Sequence, residues 1–164
     1  MRICRYALAL GLIATVTACS DPLTLNRNPG SDTMTALIDG VALAAVTVEP
    51  GSSGPATVNF VGTTSTSTSP VTQISILVTG VSGSGTFPLD ATSFPSTLAL
   101  VTVTDAGTPS QWSTTNSAGP GTVTITQLTD RRVRGTFQFV ADADPGTAAS
   151  GQVSVTNGVF DVSR

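Results

Sequence analysis

Residues 132–141, Arg-Val-Arg-Gly-Thr-Phe-Gln-Phe-Val-Ala, decide the fold class. Val133, Gly135, Phe137, Phe139 and Ala141 fall on one side of an extended chain, and Arg132, Arg134, Thr136 and Gln138 fall on the other. Side chains in a strand alternate with a period of two, so this stretch reads as a strand with one buried and one solvated face. Residues 122–126 before it place Val123 and Ile125 inward and threonines outward. Leu128-Thr129-Asp130-Arg131 then turns between the two, which predicts an antiparallel hairpin. After it, residues 152–156 alternate again with Val153 and Val155 inward. Asn157-Gly158 follows, a dipeptide that tolerates positive φ in a turn or bulge, and Phe160 and Val162 resume the apolar face.

Working outward, residues 33–38, 42–48, 56–62, 71–80, 85–89 and 98–104 are further strand candidates, and Asp39-Gly40 reads as the turn of a first hairpin. Leu77, on the otherwise polar side of 71–80, and the doubly apolar 98–101 predict strands covered on both faces. Thr63 to Ser69 (TTSTSTS) is a polar, low-complexity loop. No segment sustains a 3.6-residue apolar period with caps, and the abundant threonine and valine are stiff at χ1 and favour a pleated surface. The expectation is an all-β chain: a single antiparallel β-sandwich or barrel of about nine short strands over residues 33–164.

The first 18 residues have a different character. Arg2 and Arg5 precede an apolar run from Tyr6 to Val16, the layout of an export signal. Val16-Thr17-Ala18-Cys19 follows, an aliphatic residue and two small ones before a cysteine, and it resembles the lipobox of bacterial lipoproteins. That resemblance implies cleavage between Ala18 and Cys19 and a diacylglyceryl group on the Cys19 thiol. The apolar run falls short of the roughly 20 residues that span a bilayer. Residues 19–32, with two prolines and a glycine, read as a tether between lipid and domain. The expected location is the cell envelope, on a bacterial membrane (the outer one being expected), facing the periplasm or the exterior.

Cleavage would leave 146 residues with five basic and ten acidic side chains, a net charge of about −5. A chain of that size buries roughly two-thirds of its extended surface. Without a basic stripe, nucleic acid is not an expected partner, and charge alone is not expected to hold the chain on acidic headgroups. The membrane is reached through the lipid on Cys19. The sequence holds no histidine and no lysine, and the lipid would consume the sole mature cysteine. These absences exclude a Ser-His-Asp triad, a Cys-His pair, a Schiff-base lysine and His- or Cys-ligated zinc. No enzyme and no cofactor is expected.

Three groups compete for a functional role. Asp142-Ala-Asp144-Pro-Gly146 puts two carboxylates in one loop, a weak calcium candidate; aspartate also simply favours turns. Trp112, within Asp105-Ala-Gly-Thr-Pro-Ser-Gln-Trp112, could stack on a sugar ring with Gln111 and Asn116 nearby; a lone tryptophan is more often a core or rim plug. Arg131, Arg132 and Arg134 form a small basic cluster, for which a solvated strand face is the plain explanation. Glu49 is the sole glutamate, and no spacing among the carboxylates points to a glycosidase pair.

The elements Gly121-Thr-Val-Thr-Ile-Thr126, Arg134-Gly-Thr-Phe-Gln-Phe139 and Val155-Thr-Asn-Gly-Val-Phe160 together resemble a group of small bacterial lipoproteins carrying an all-β domain of unknown function. Thr35-Ala-Leu-Ile-Asp-Gly40 and Gly85-Thr-Phe-Pro-Leu89 are similar to that group's earlier elements. The group often places a tryptophan soon after the Asp-Gly turn, where this chain has Val41-Ala-Leu-Ala-Ala45. The resemblance implies an envelope domain and carries over no catalytic residue. The reading that results is a lipid-anchored, non-enzymatic binding or structural module, and the residues name neither a protein nor a glycan as its partner. A carbohydrate-binding surface is the alternative.

Overall fold

Alternation in the sequence becomes strand pairing throughout the structure, a computed structural model that describes residues 32–50, 56–64 and 70–164. The export signal, the lipobox with Ala18 and Cys19, nearly all of the tether and most of the threonine-serine loop lie outside the described residues.

The reading frame set by residues 132–141 holds. β10 (Arg132–Ala143) pairs antiparallel with β9 (Gly121–Leu128) on one side and with β11 (Gln152–Ser163) on the other. Thr129 shapes the β9–β10 turn: its Oγ1 accepts from the Arg132 amide at 3.0 Å and donates to the Arg132 carbonyl. β1 (Thr33–Ile38) adds to the far side of β11, and β2 (Val41–Ala44) to the far side of β1. The turn between them is Asp39-Gly40, both at positive φ (49° and 80°), which suits a tight two-residue hairpin. Asn157 also sits at positive φ (52°), where the β10–β11 register slips, so the dipeptide there makes a bulge within one long strand.

The other strands are β3 (Thr47–Pro50), β4 (Thr57–Thr63), β5 (Val71–Thr79), β6 (Gly85–Pro88), β7 (Thr97–Asp105) and β8 (Thr108–Ser113). They run β3-β4-β5-β7-β8 by antiparallel neighbours, while β6 pairs with β9. The last residues of β10, Asp142 and Ala143, pair with Ser113 and Trp112 of β8. One sheet of eleven strands therefore curls into two leaves joined along β10. At the other end of the path, Ala45 donates to the Met34 carbonyl and Val46 to the Thr63 carbonyl, both at 2.9 Å. Two consecutive residues thus tie β1 to β4 and draw the ends of the sheet together.

The all-β class stands, with eleven strands among the described residues in place of about nine. The candidate 42–48 is two strands, because the chain changes partners at Ala45 and Val46. The second addition, β8, carries Trp112. Leu77 and Leu98 are half-buried and face each other across the β5–β7 ladder, as a cross-strand pair on the outer face.

The interior is filled from both leaves. Phe60 of β4 and Phe160 of β11 have ring centroids 4.4 Å apart, and Phe137 lies 6.3 Å from both Phe139 and Phe160. Phe60, Phe139, Phe160, Met34, Ile74 and Ile76 are fully buried. Burying each such side chain stabilises the fold by about 1.5–3 kcal/mol, which offsets the ordering of a chain without a helix among its described residues.

Candidate functional site

With the apolar face spent on the core, the outer face of β9, β10 and β11 carries the polar half of the alternation. Row by row, Thr86 stands opposite Thr124, Thr124 opposite Thr136, and Thr136 opposite Val159. The hydroxyls of Thr86 and Thr124 hydrogen-bond at 3.0 Å. Register slips on both sides of β10, near Gly135 and after Phe137, bend this part of the sheet.

Two adjoining cavities open on the bent face. One, of about 470 Å³, is lined by Thr122, Thr124, Thr136, Gln138, Asn157 and Val159 with Phe137 and Gly158. The next, of about 340 Å³, shares Thr122 and Gln138 and adds Asp90, Pro120, Ser154 and Thr156. Together they form a trough along β10, running from Thr136 to Val140. Its lining joins the hydroxyls and amides of Thr122, Thr124, Thr136, Gln138 and Asn157 and the Asp90 carboxylate to apolar surface from Val140, Pro120 and the half-exposed Val159. The part around Pro120 and Val140 is the more apolar.

Asp90 is the one charged residue lining either cavity. Its Oδ1 accepts from the backbone amides of Thr92 and Ser93 at 2.9 and 3.0 Å and from their hydroxyls at 2.6 and 2.8 Å. The hydroxyl of Thr92 and then that of Ser93 hold the Asp90 carboxyl below the usual carboxylate range. It is thus a fixed anion, engaged in shaping the 90–96 turn, and unsuited to accept a proton near neutral pH.

Trp112 belongs to neither cavity. It lies on β8 opposite Val101 and Ala143, packs half-buried against the core, and donates its indole N–H to the Ser150 carbonyl at 3.3 Å. Asp142 is half-buried within β10, and Asp144 Oδ1 accepts from the Asn116 amide at 2.5 Å. Among the described residues no three metal-ligating side chains converge. The arginine cluster is tied down on one side: Asp161 is shared by Arg132 and by Arg134, the latter at 2.9 Å. Burial pushes the Asp161 carboxyl up, yet the hydrogen bonds from Arg132 and Arg134 outweigh it and leave the carboxyl below its ordinary range.

The sequence pattern does not mark the trough, because a polar strand face looks the same whether flat or hollowed. Its nearest signal in the sequence is Asn157-Gly158, which marks the bulge.

No curated protein and no solved structure matches the chain. The match that does appear is to a family model covering residues 30–162, from just before β1 to near the end of β11. On that match the chain belongs to the DUF6252 family, a domain of unknown function.

Proposed function

We propose that this protein is a lipid-anchored, non-enzymatic module of the cell envelope whose outer-face trough binds a neutral, hydroxyl-rich ligand, a glycan. The anchor rests on the lipobox-like Val16-Thr17-Ala18-Cys19 after its apolar run. The observation that carries the binding role is the trough itself, lined by Thr122, Thr124, Thr136, Gln138 and Asn157 with a single anionic neighbour. Hydroxyl and amide side chains donate and accept, and so pair with a polyol without asking it for a charge. Val159 and Pro120 offer apolar surface to the C–H faces of a sugar ring. An anionic ligand would meet Asp90 and no cation there. With no histidine or lysine anywhere in the sequence, binding without turnover is the consistent role.

A few exposed hydrogen bonds, each contributing about 0.5–1.5 kcal/mol, give a dissociation constant of about 0.1–1 mM. Many copies on one membrane would convert such weak contacts into firm attachment. Titration of the protein with neutral oligosaccharides, followed by amide chemical shifts, tests this. Shifts are expected at Thr124, Thr136, Gln138 and Asn157, and the double substitution Thr136→Ala, Gln138→Ala should weaken binding about tenfold. Both side chains are exposed, so the fold should survive. Absence of shifts at millimolar sugar, or shifts gathered around Trp112 instead, would contradict the assignment.

A further inference from the structure

Net charge hides where the charges sit. Beyond the tether, the sequence has four cationic side chains, Arg131, Arg132, Arg134 and Arg164, and the fold gathers all four at one end. Arg132 stands opposite Ser163 and Arg134 opposite Asp161 in the β10–β11 ladder, while the Arg164 amide donates to the Arg131 carbonyl at 3.0 Å. The chain enters the described domain at this same end. Asp32 accepts from the Ser163 amide at 2.9 Å and from its hydroxyl at 2.6 Å, and Thr33 pairs with Asp161.

Three aspartates, Asp32, Asp130 and Asp161, share this end with the four arginines and leave one positive charge there, counting side chains. The other six carboxylates from Asp32 onward, at Asp39, Glu49, Asp90, Asp105, Asp142 and Asp144, lie outside the 128–134 and 161–164 segments that carry the arginines. Asp161 is already engaged by two arginines and Asp32 by Ser163. Arg131 is exposed, and the Arg134 side chain is 50% exposed.

We infer that this arginine-bearing end is a foot that rests on anionic lipid headgroups and stands the domain upright, its acidic body and trough away from the membrane. The inference rests on the lipid anchor proposed above. Cys19 lies thirteen residues before Asp32, and the chain coming from it enters the domain at this arginine-bearing end. An arginine near an anionic leaflet is attracted by about 1 kcal/mol, and the attraction fades within about 10 Å. The six-carboxylate body is repelled by the same field, so both effects favour one orientation. The trough leads from Thr136 toward Val140, away from the foot, and would open outward.

The test uses the full chain, isolated with its lipid and reconstituted into phosphatidylcholine vesicles with or without phosphatidylglycerol. Amide hydrogen exchange is followed in the 128–132 turn and in the 144–151 loop. On phosphatidylglycerol vesicles the turn should exchange at least about threefold more slowly than on phosphatidylcholine alone, with the loop unchanged. Raising the salt to about 0.5 M should erase the difference without any substitution. The double substitution Arg131→Gln, Arg134→Gln should erase it at low salt. A lipidated chain whose turn exchanges equally on both compositions would overturn the foot alone. A chain without lipid on Cys19 would overturn the anchor and the foot with it.

Discussion

Gly135 lies directly across the β10–β11 ladder from Phe160, and a Cβ built on it would come within 2.6 Å of that ring's Cζ. Gly158 faces Phe137 in the same ladder, where a Cβ would meet the ring at 2.5 Å. Phenylalanine lies over glycine in both pairs, which lets large rings fill the core without parting the strands. Replacing Gly135 with alanine should therefore cost about 2–4 kcal/mol in urea unfolding, since the neighbours are backbone and ring with little room to yield. Gly83→Ala, where nothing lies within 4 Å of the added carbon, should stay within about 0.5 kcal/mol. Equal costs at the two positions would contradict the packing account. The sequence does show these glycines among alternating residues, and it shows that Asn157 can take positive φ. Which phenylalanine covers which glycine depends on register, and register includes a bulge whose effect on pairing no local pattern states.

At the scale of strands, alternation is legible where one face is fully buried, as along β10, whose inward residues from Val133 to Ala141 are all buried. It fails for β8, Thr-Pro-Ser-Gln-Trp-Ser, where only Ser113 is buried and a proline interrupts the pattern. A strand at the seam between two leaves has no cleanly buried side, so its sequence looks like a loop. Trp112 follows from that placement. Half-buried against the core, with its indole N–H on Ser150, it closes the seam where β8 meets the end of β10. Trp112→Ala should lower stability by about 2 kcal/mol, less than for a fully buried aromatic, and leave oligosaccharide shifts in the trough unchanged. Loss of sugar binding without loss of stability would instead place the ligand at Trp112.

The whole molecule keeps three features apart. One end carries the arginines and receives the chain at Asp32, the middle is a core shared by both leaves, and the outer face of β9, β10 and β11 holds the trough. Composition gives a net acidic chain without histidine or lysine, and that much is legible from the amino acids. The polarity of charge and the hollow on the outer face are not, because both arise from strands brought together over long sequence separations. The central claim is that this domain is held at a membrane through Cys19, and it is tested most directly by the intact mass of the protein isolated from cell membranes. The account predicts a chain beginning at Cys19, heavier than its amino acids by a diacylglyceryl group, and no such species for Cys19→Ser. A mature protein that begins elsewhere, or at Cys19 without added lipid mass, would contradict it.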